Sequence, residues 1–194
     1  EIHRGDMITA SDIPGRAMKA TQAGQIVGRA LEDWTPASGK DKIIVFVDMD
    51  FTLCDYGAGY RDYQTRHPEL THPQSRPGFY ESLPPLQGAV ESYLWLHTQP
   101  QLALFVLTAP SIMNPHSYSE KRLWIERHLS LDVVKQLIIS PHKGLNKGHY
   151  LIDDRSNGQG QDEFEGLLIQ FGSEAFPDWQ TVREFFEVAV LSGS

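Results

Sequence analysis

Ile43-Ile44-Val45-Phe46-Val47-Asp48-Met49-Asp50-Phe51-Thr52 is the stretch that decides how this chain reads. Ile43–Val47 is apolar without interruption and rich in β-branched residues, the pattern of a strand buried on both faces, and it stops at a carboxylate. Similar runs follow at Leu102–Thr108, Leu137–Ser140, Tyr150–Ile152 and Leu167–Phe171. Helical periodicity lies between them. Gly88–His97 carries Val90, Tyr93, Leu94 and His97 at spacings of three and four, and Ser117–Leu129 carries Leu123, Trp124 and His128, with Ser117 or Ser119 as its N-cap. Asp178 can cap a last helix that presents Trp179, Val182 and Phe186. Strands alternating with helices predict an α/β fold, a parallel sheet with helices on both faces.

The residues before the first run differ in kind. Residues 1–42 hold six basic and six acidic side chains, one aromatic (Trp34) and little helical periodicity. They predict a β-rich N-terminal extension of short strands and turns, punctuated at Asp12-Ile13-Pro14-Gly15 and Pro36–Gly39, with a boundary near Lys40. A chain of 194 residues suits one domain of roughly 150 residues plus such an addition. Residues 43–194 then carry the whole net charge of −8, which argues against binding a nucleic-acid polymer while leaving room for a small cationic pocket. The longest apolar runs, Ile43–Val47 and Leu102–Leu107, fall far short of the roughly 20 residues that span a bilayer. No cationic start followed by an apolar stretch suggests a signal peptide. The lone Cys54 can form neither an internal disulfide nor a thiolate zinc site. A soluble, cytoplasmic protein is expected.

In an open α/β sheet, ligands bind beyond the carboxyl ends of the strands. Here those ends carry Asp48-Met49-Asp50, then Thr108, then Lys143 and then Asp153-Asp154. Residues two apart on a strand share a face, so Asp48 and Asp50 are expected to reach one site together. Crowded carboxylates repel unless a cation neutralises them, and a hard, oxygen-seeking Mg²⁺ is the natural candidate. Thr108 and Lys143 would then grip an anionic substrate, most plausibly a phosphate. The bland alternative, solvated strand-end carboxylates and a surface lysine, fares badly, because desolvated like charges are costly without a shared ligand.

Apolar strand then Asp-x-Asp-x-Thr, apolar strand then Thr, a Lys, and apolar strand then Asp-Asp resembles the haloacid dehalogenase superfamily of phosphotransferases in order as well as content. The finer detail is similar to the 5′(3′)-deoxyribonucleotidases of short bacterial and phage type: Leu53-Cys54-Asp55-Tyr56, Leu86-Gln87-Gly88-Ala89-Val90, Thr108-Ala109-Pro110, Glu120-Lys121 with Trp124, Leu151-Ile152-Asp153-Asp154-Arg155, and the tail Phe171-Gly172-Ser173 with Phe176-Pro177-Asp178-Trp179. The resemblance covers about residues 43–187. It implies a Rossmann-like core over residues 43–194 with a small cap, about residues 55–84, inserted after the first strand. It implies a Mg²⁺-dependent phosphomonoesterase acting on (deoxy)nucleoside monophosphates through an aspartyl-phosphate. Asp48 would be the nucleophile and Asp50 the acid and base. Asp48, the Asp50 carbonyl and Asp154 would hold the metal, with Asp153 behind them. Thr108, the Ala109 N–H and Lys143 would hold the phosphate. Phe51 stands where the family usually has Gly, and the cap is shorter than in the mammalian enzymes, whose base-contacting aromatics have no counterpart except Tyr56. Gly5-Asp6-Met7-Ile8-Thr9-Ala10-Ser11, Pro14-Gly15-Arg16-Ala17-Met18-Lys19-Ala20 and Val27-Gly28-Arg29-Ala30-Leu31-Glu32 give residues 1–42 a resemblance to a short β-rich module near the ends of some phage and bacterial fibre or surface proteins.

Tyr56, Tyr60 and Tyr63 fall on one face of a possible cap helix. Packing is the expectation for Tyr60 and Tyr63, substrate contact for Tyr56. Phe79 and Tyr80 are left open, and Lys121 divides between reaching the phosphate and lying solvated on its helix. A cysteine-phosphatase cradle of Cys54 and Arg61 fails, since that chemistry needs five intervening residues and there are six. The alternatives in function are a related phosphatase acting on another small phosphate ester, and a non-catalytic phospho-ligand-binding assembly protein. The intact Asp48–Asp50 pair speaks against the latter, because a binder does not need the second carboxylate.

Overall fold

A computed structural model describes Arg4 and residues 6–10, 17–21, 28–29 and 42–191 of the chain. The chain divides into two compact units, Glu1–Lys42 and Ile43–Ser194. In the first, β1 (Met7–Ala10) pairs antiparallel with β2 (Ala17–Lys19) on one side and β3 (Gly28–Arg29) on the other. A Lys19–Asp6 ion pair of 2.9 Å closes the β1–β2 end. The turn punctuation read at 12–15 and 36–39 lies outside the described residues.

The second unit is built on a five-stranded parallel sheet. Its strands are β4 (Ile43–Val47), β5 (Leu102–Thr108), β6 (Leu137–Ile139), β7 (Tyr150–Asp153) and β8 (Leu167–Gln170), in the order β6-β5-β4-β7-β8. β4 is central because its side chains satisfy both faces. Val45 and Val47 join one apolar cluster and Phe46 the other. Register is fixed by matched apolar pairs, Val45 with Leu104 and Val47 with both Val106 and Ile152. The Rossmann-like parallel α/β arrangement is thus what the chain builds.

The two covers of the sheet are unequal. α2 (Ala89–His97), α3 (Ser117–His128), α4 (Leu131–Val134) and α5 (Trp179–Phe185) send Tyr93, Leu96, Trp124, Ile125, Val133, Trp179 and Val182 into the Val45/Val47 cluster. On the Phe46 side, Phe164 packs beyond a 3₁₀ turn at Gln161–Glu163. There Gly148 lets the backbone lie on the sheet, since a Cβ at that position would come within 2.5 Å of the Phe46 ring.

Between β4 and α2 runs the excursion that would form a cap. It holds α1 (Tyr56–Arg66) and 3₁₀ turns at Pro73–Ser75 and Tyr80–Ser82. Asp55 caps α1 by accepting from the Ala58 N–H at 2.8 Å. Phe79, Tyr80 and Leu83 are buried in the main cluster, with Tyr56, Tyr60 and Tyr63 packed against it, so the packing role read for Tyr60 and Tyr63 agrees with their placement. Asp178 caps α5 through the Thr181 N–H, as its sequence suggested. The cap of α3 differs from expectation. His116 stands at that position without a side-chain bond, while the Ser117 hydroxyl accepts from the Ser111 N–H at 3.0 Å and braces the loop leaving β5. Ser119 lies within the helix.

In this order the chain leaves β4 toward β5 and β6, then returns across β4 to β7 and β8. Loops on either side of β4 therefore diverge and leave a crevice at the carboxyl ends of the central strands.

Candidate active site

β4 ends at Val47, yet Asp48 still donates its N–H to the Ile152 carbonyl at 2.8 Å, which ties it rigidly to the sheet. Asp50 does not share a strand face with it. The backbone turns sharply, and the Met49 carbonyl accepts from Leu53 at 2.8 Å and Cys54 at 2.9 Å. This turn, rather than the strand pleat expected from the sequence, brings both carboxylates to one cavity of about 310 Å³. That volume lies at the lower end of the roughly 300–1,000 Å³ typical of small-molecule sites.

The turn requires a left-handed residue, and Phe51 supplies it with φ of 58°, the one positive-φ residue other than glycine among those described. A side chain in that region costs roughly 1–2 kcal/mol, so its surroundings must over-determine it. They do. The Met49 carbonyl anchors one side, and on the other the buried Trp179 indole N–H donates to the Thr52 carbonyl at 2.8 Å. Phe51 remains 39% exposed and its ring lies 4.8 Å from that of Tyr56, at the cavity.

Each carboxylate has its own lysine. Lys143, fully buried, lies 2.8 Å from Asp48 Oδ1 and also pairs with Asp153. Burial works against its charge, but Asp48 and Asp153 outweigh that and raise its pKa. Lys121, equally buried, donates to Asp50 Oδ2 at 2.7 Å and to the Thr108 hydroxyl at 2.8 Å. The solvated alternative for Lys121 is thereby overturned: its helix face turns to the core, and Asp50 and Thr108 satisfy the ammonium there. Burial raises the Asp50 pKa, Lys121 opposes that, and Asp48 adds to it.

One oxygen from each of Asp48, Asp153 and Asp154 can be drawn within 4.8 Å of the others. Asp153 is already occupied, accepting from Lys143, the Arg155 N–H and Gln161. Asp154 lines the cavity, and burial followed by repulsion from Asp48 and Asp153 pushes its pKa up to about 7. A pocket of hard oxygens that resists its own charge fits a divalent cation such as Mg²⁺.

Of the residues named from sequence, Asp48, Asp50, Tyr56, Ala109 and Asp154 line the cavity, while Thr108, Lys121, Lys143 and Asp153 stand buried behind them. Sequence reading missed Ser111, Arg155 and Gln159, and left Tyr80 open; all four line the cavity. Tyr80 is positioned by the buried Glu120, whose carboxylate accepts from the Gly78 N–H at 2.7 Å and the Tyr80 N–H at 2.9 Å. Trp124, one turn on, donates to the Leu83 carbonyl at 2.7 Å. The Glu120-Lys121 pair beside Trp124 was the available signal, for one face of α3 holds the excursion and Asp50 together. Cys54 is fully buried, and burial followed by the nearby Asp50 pushes its thiol well above the usual range, in keeping with a structural role.

The sequence matches a known family and named relatives. The family described as 5′ nucleotidase, deoxy (Pyrimidine), cytosolic type C protein matches residues 59–183, a span that holds Thr108, Lys121, Lys143 and Asp153-Asp154 and begins after Asp50. The chain is 39% identical over 155 residues to the "Putative 5′(3′)-deoxyribonucleotidase" of Vibrio phage KVP40, covering 75% of this chain and 85% of that protein. It is 30% identical to the human 5′(3′)-deoxyribonucleotidase of cytosolic type, over 61% of this chain and 74% of the relative. Among solved structures, a haloacid dehalogenase family hydrolase from Deinococcus radiodurans R1 aligns with a TM-score of 0.45 and 11% identity, over 74% of this chain and 87% of that one. The protein is by class a phosphoric monoester hydrolase. Within that class, the chain belongs to the 5′(3′)-deoxyribonucleotidase family.

Proposed function

We propose that the protein hydrolyses (deoxy)nucleoside monophosphates in a Mg²⁺-dependent reaction with Asp48 as nucleophile. The observation that carries this reading is the pairing of two carboxylates on one cavity, each held by a different buried lysine. Two carboxylates held apart in this way can take different roles.

Lys143 holds one oxygen of Asp48, presenting the other for attack on phosphorus. A bond forms between Asp48 and phosphorus while the bond from phosphorus to the nucleoside oxygen breaks. Asp50, in its protonated form, gives that oxygen a proton and the nucleoside leaves. Asp50 then takes a proton from water as the water oxygen attacks the aspartyl-phosphate, and inorganic phosphate departs with Asp48 regenerated. Thr108, the Ala109 N–H and Lys143 stabilise the phosphoryl oxygens as their charge redistributes.

Asp48, the Asp50 carbonyl and Asp154 would hold Mg²⁺, with Asp153 orienting them from behind. The ion would supply charge neutralisation between the carboxylates and the phosphate. We read residues 43–194 as the catalytic unit with its cap over residues 55–84, residues 1–42 as an appended module, and the cytoplasm as the compartment. Among the described residues no helix is long and apolar enough to cross a membrane.

A panel of nucleoside monophosphates and small phosphate esters, assayed for phosphate release with Mg²⁺ and with chelator, tests the proposal. Mg²⁺-dependent release favouring nucleotides is expected. Release undiminished in chelator, or no release from any nucleotide, would overturn it.

A further inference from the structure

We propose that Phe51 is a specificity-determining residue, forming with Tyr56 the aromatic surface against which the planar base of a nucleotide substrate rests. This goes a step further than the phosphatase reading and rests on it.

Phe51 occupies a backbone position that suits glycine, with φ of 58°, and a side chain there strains the turn wherever the ring goes. Core packing does not repay the strain, because the ring belongs to neither buried cluster and stays 39% exposed. Its ring meets that of Tyr56 at 4.8 Å with 31° between the planes, and both line the cavity that holds Asp48 and Asp50. Tyr56 is itself fixed from behind by the buried Phe79 ring, 5.3 Å away and edge-on. The result is a buttressed, half-exposed aromatic pair one residue from Asp50.

A retained strain beside a catalytic carboxylate points to use by the ligand. Aromatic faces of this kind take a flat π-system, and stacking tolerates different bases because each has such a face. The ligand class is therefore a phosphate ester whose leaving group carries an aromatic heterocycle.

Phe51→Gly is the informative variant, since glycine suits the observed φ and the turn loses only the ring. The wild type, Phe51→Gly and Phe51→Tyr are assayed with Mg²⁺ on a nucleoside 5′-monophosphate and on glycerol phosphate, which has no ring. For Phe51→Gly the ratio of kcat/KM, nucleotide over glycerol phosphate, is expected to fall about tenfold, mostly through KM for the nucleotide. Phe51→Tyr should restore it, and the melting midpoint of Phe51→Gly should not fall. A ratio within twofold of wild type in Phe51→Gly would overturn the inference. So would a wild type that hydrolyses glycerol phosphate but not nucleotides, with the phosphatase chemistry left standing. A wild type inactive on every ester would overturn both.

Discussion

Lys143 Nζ lies 2.8 Å from Asp48 Oδ1 and bonds Asp153 at the same time, so one fully buried ammonium joins the end of β4 to the end of β7. Asp48 therefore sits against the core with its charge compensated and its position fixed before any substrate arrives. Removing that ammonium would leave two buried carboxylates facing each other. Breaking a buried pair from one side costs about 3–5 kcal/mol. Lys143→Met is expected to lower the melting midpoint strongly and to abolish measurable turnover per folded molecule. A chemical denaturation curve run beside the activity assay checks both.

Asp50 and Lys121 make a different kind of pair, because Asp50 is partly open to the cavity while Lys121 is closed off. If Asp50 protonates the leaving oxygen, its loss should matter most for poor leaving groups. Asp50→Asn is expected to slow nucleotide hydrolysis by roughly 10²–10⁴-fold and p-nitrophenyl phosphate hydrolysis much less. Equal losses on the two substrates would count against the general-acid role.

Asp154 gives a pH dependence with a defined sign. Its pKa rises from the ordinary 3.8 to about 7, first through burial and then through Asp48 and Asp153. An acid that holds its proton more tightly folded than unfolded makes stability fall as pH climbs between those values. The metal-free protein should thus melt lower at pH 7.5 than at pH 5, and Asp154→Asn should show a smaller drop. Mg²⁺, as proposed, would bind the ionised form, so its stabilisation should grow over the same range. Ca²⁺, with longer bonds and more ligands, should bind without supporting turnover. Melting curves with chelator, Mg²⁺ and Ca²⁺ at both pH values, read beside phosphate release, test all of this.

Glu120 holds the segment carrying Tyr80 through two backbone N–H groups. Glu120→Ala would orphan the buried Tyr80 N–H, at roughly 1–3 kcal/mol, and release the exposed Gly78 N–H to water. The expected result is a lower melting midpoint and a raised KM for nucleotide, with kcat changed less. Steady-state kinetics at a temperature where the variant is fully folded provides the check.

The strands and the cavity-lining carboxylates were legible in the sequence because both are local. Ile43–Val47 announces a doubly buried strand that Asp48 follows directly, and Asp153-Asp154 follow the apolar run Tyr150–Ile152. What stayed hidden depends on distant partners. Lys121 sits in the polar-looking stretch Ser117–Arg122, and only the packing of α3 over Asp50 and Thr108 buries it. Ser117 reads as a cap from its neighbours, but its hydroxyl is drawn to Ser111 by the loop leaving β5. Tyr80 reaches the cavity because Glu120, forty residues later, holds its backbone. Phe51 departs from the glycine that the resemblance led us to expect, and only its φ reveals that the turn kept a glycine conformation with a ring attached.

Asp48 is the group proposed to attack phosphorus. Wild-type protein turning over a nucleoside monophosphate with Mg²⁺, quenched and treated with borohydride, would have any acyl phosphate reduced to the alcohol. Peptide mass spectrometry then locates the reduced residue. Homoserine at position 48, absent without substrate and absent in Asp48→Asn, is the predicted result. Turnover with reduction at another carboxylate, or Asp48→Asn active within tenfold of wild type, would contradict it.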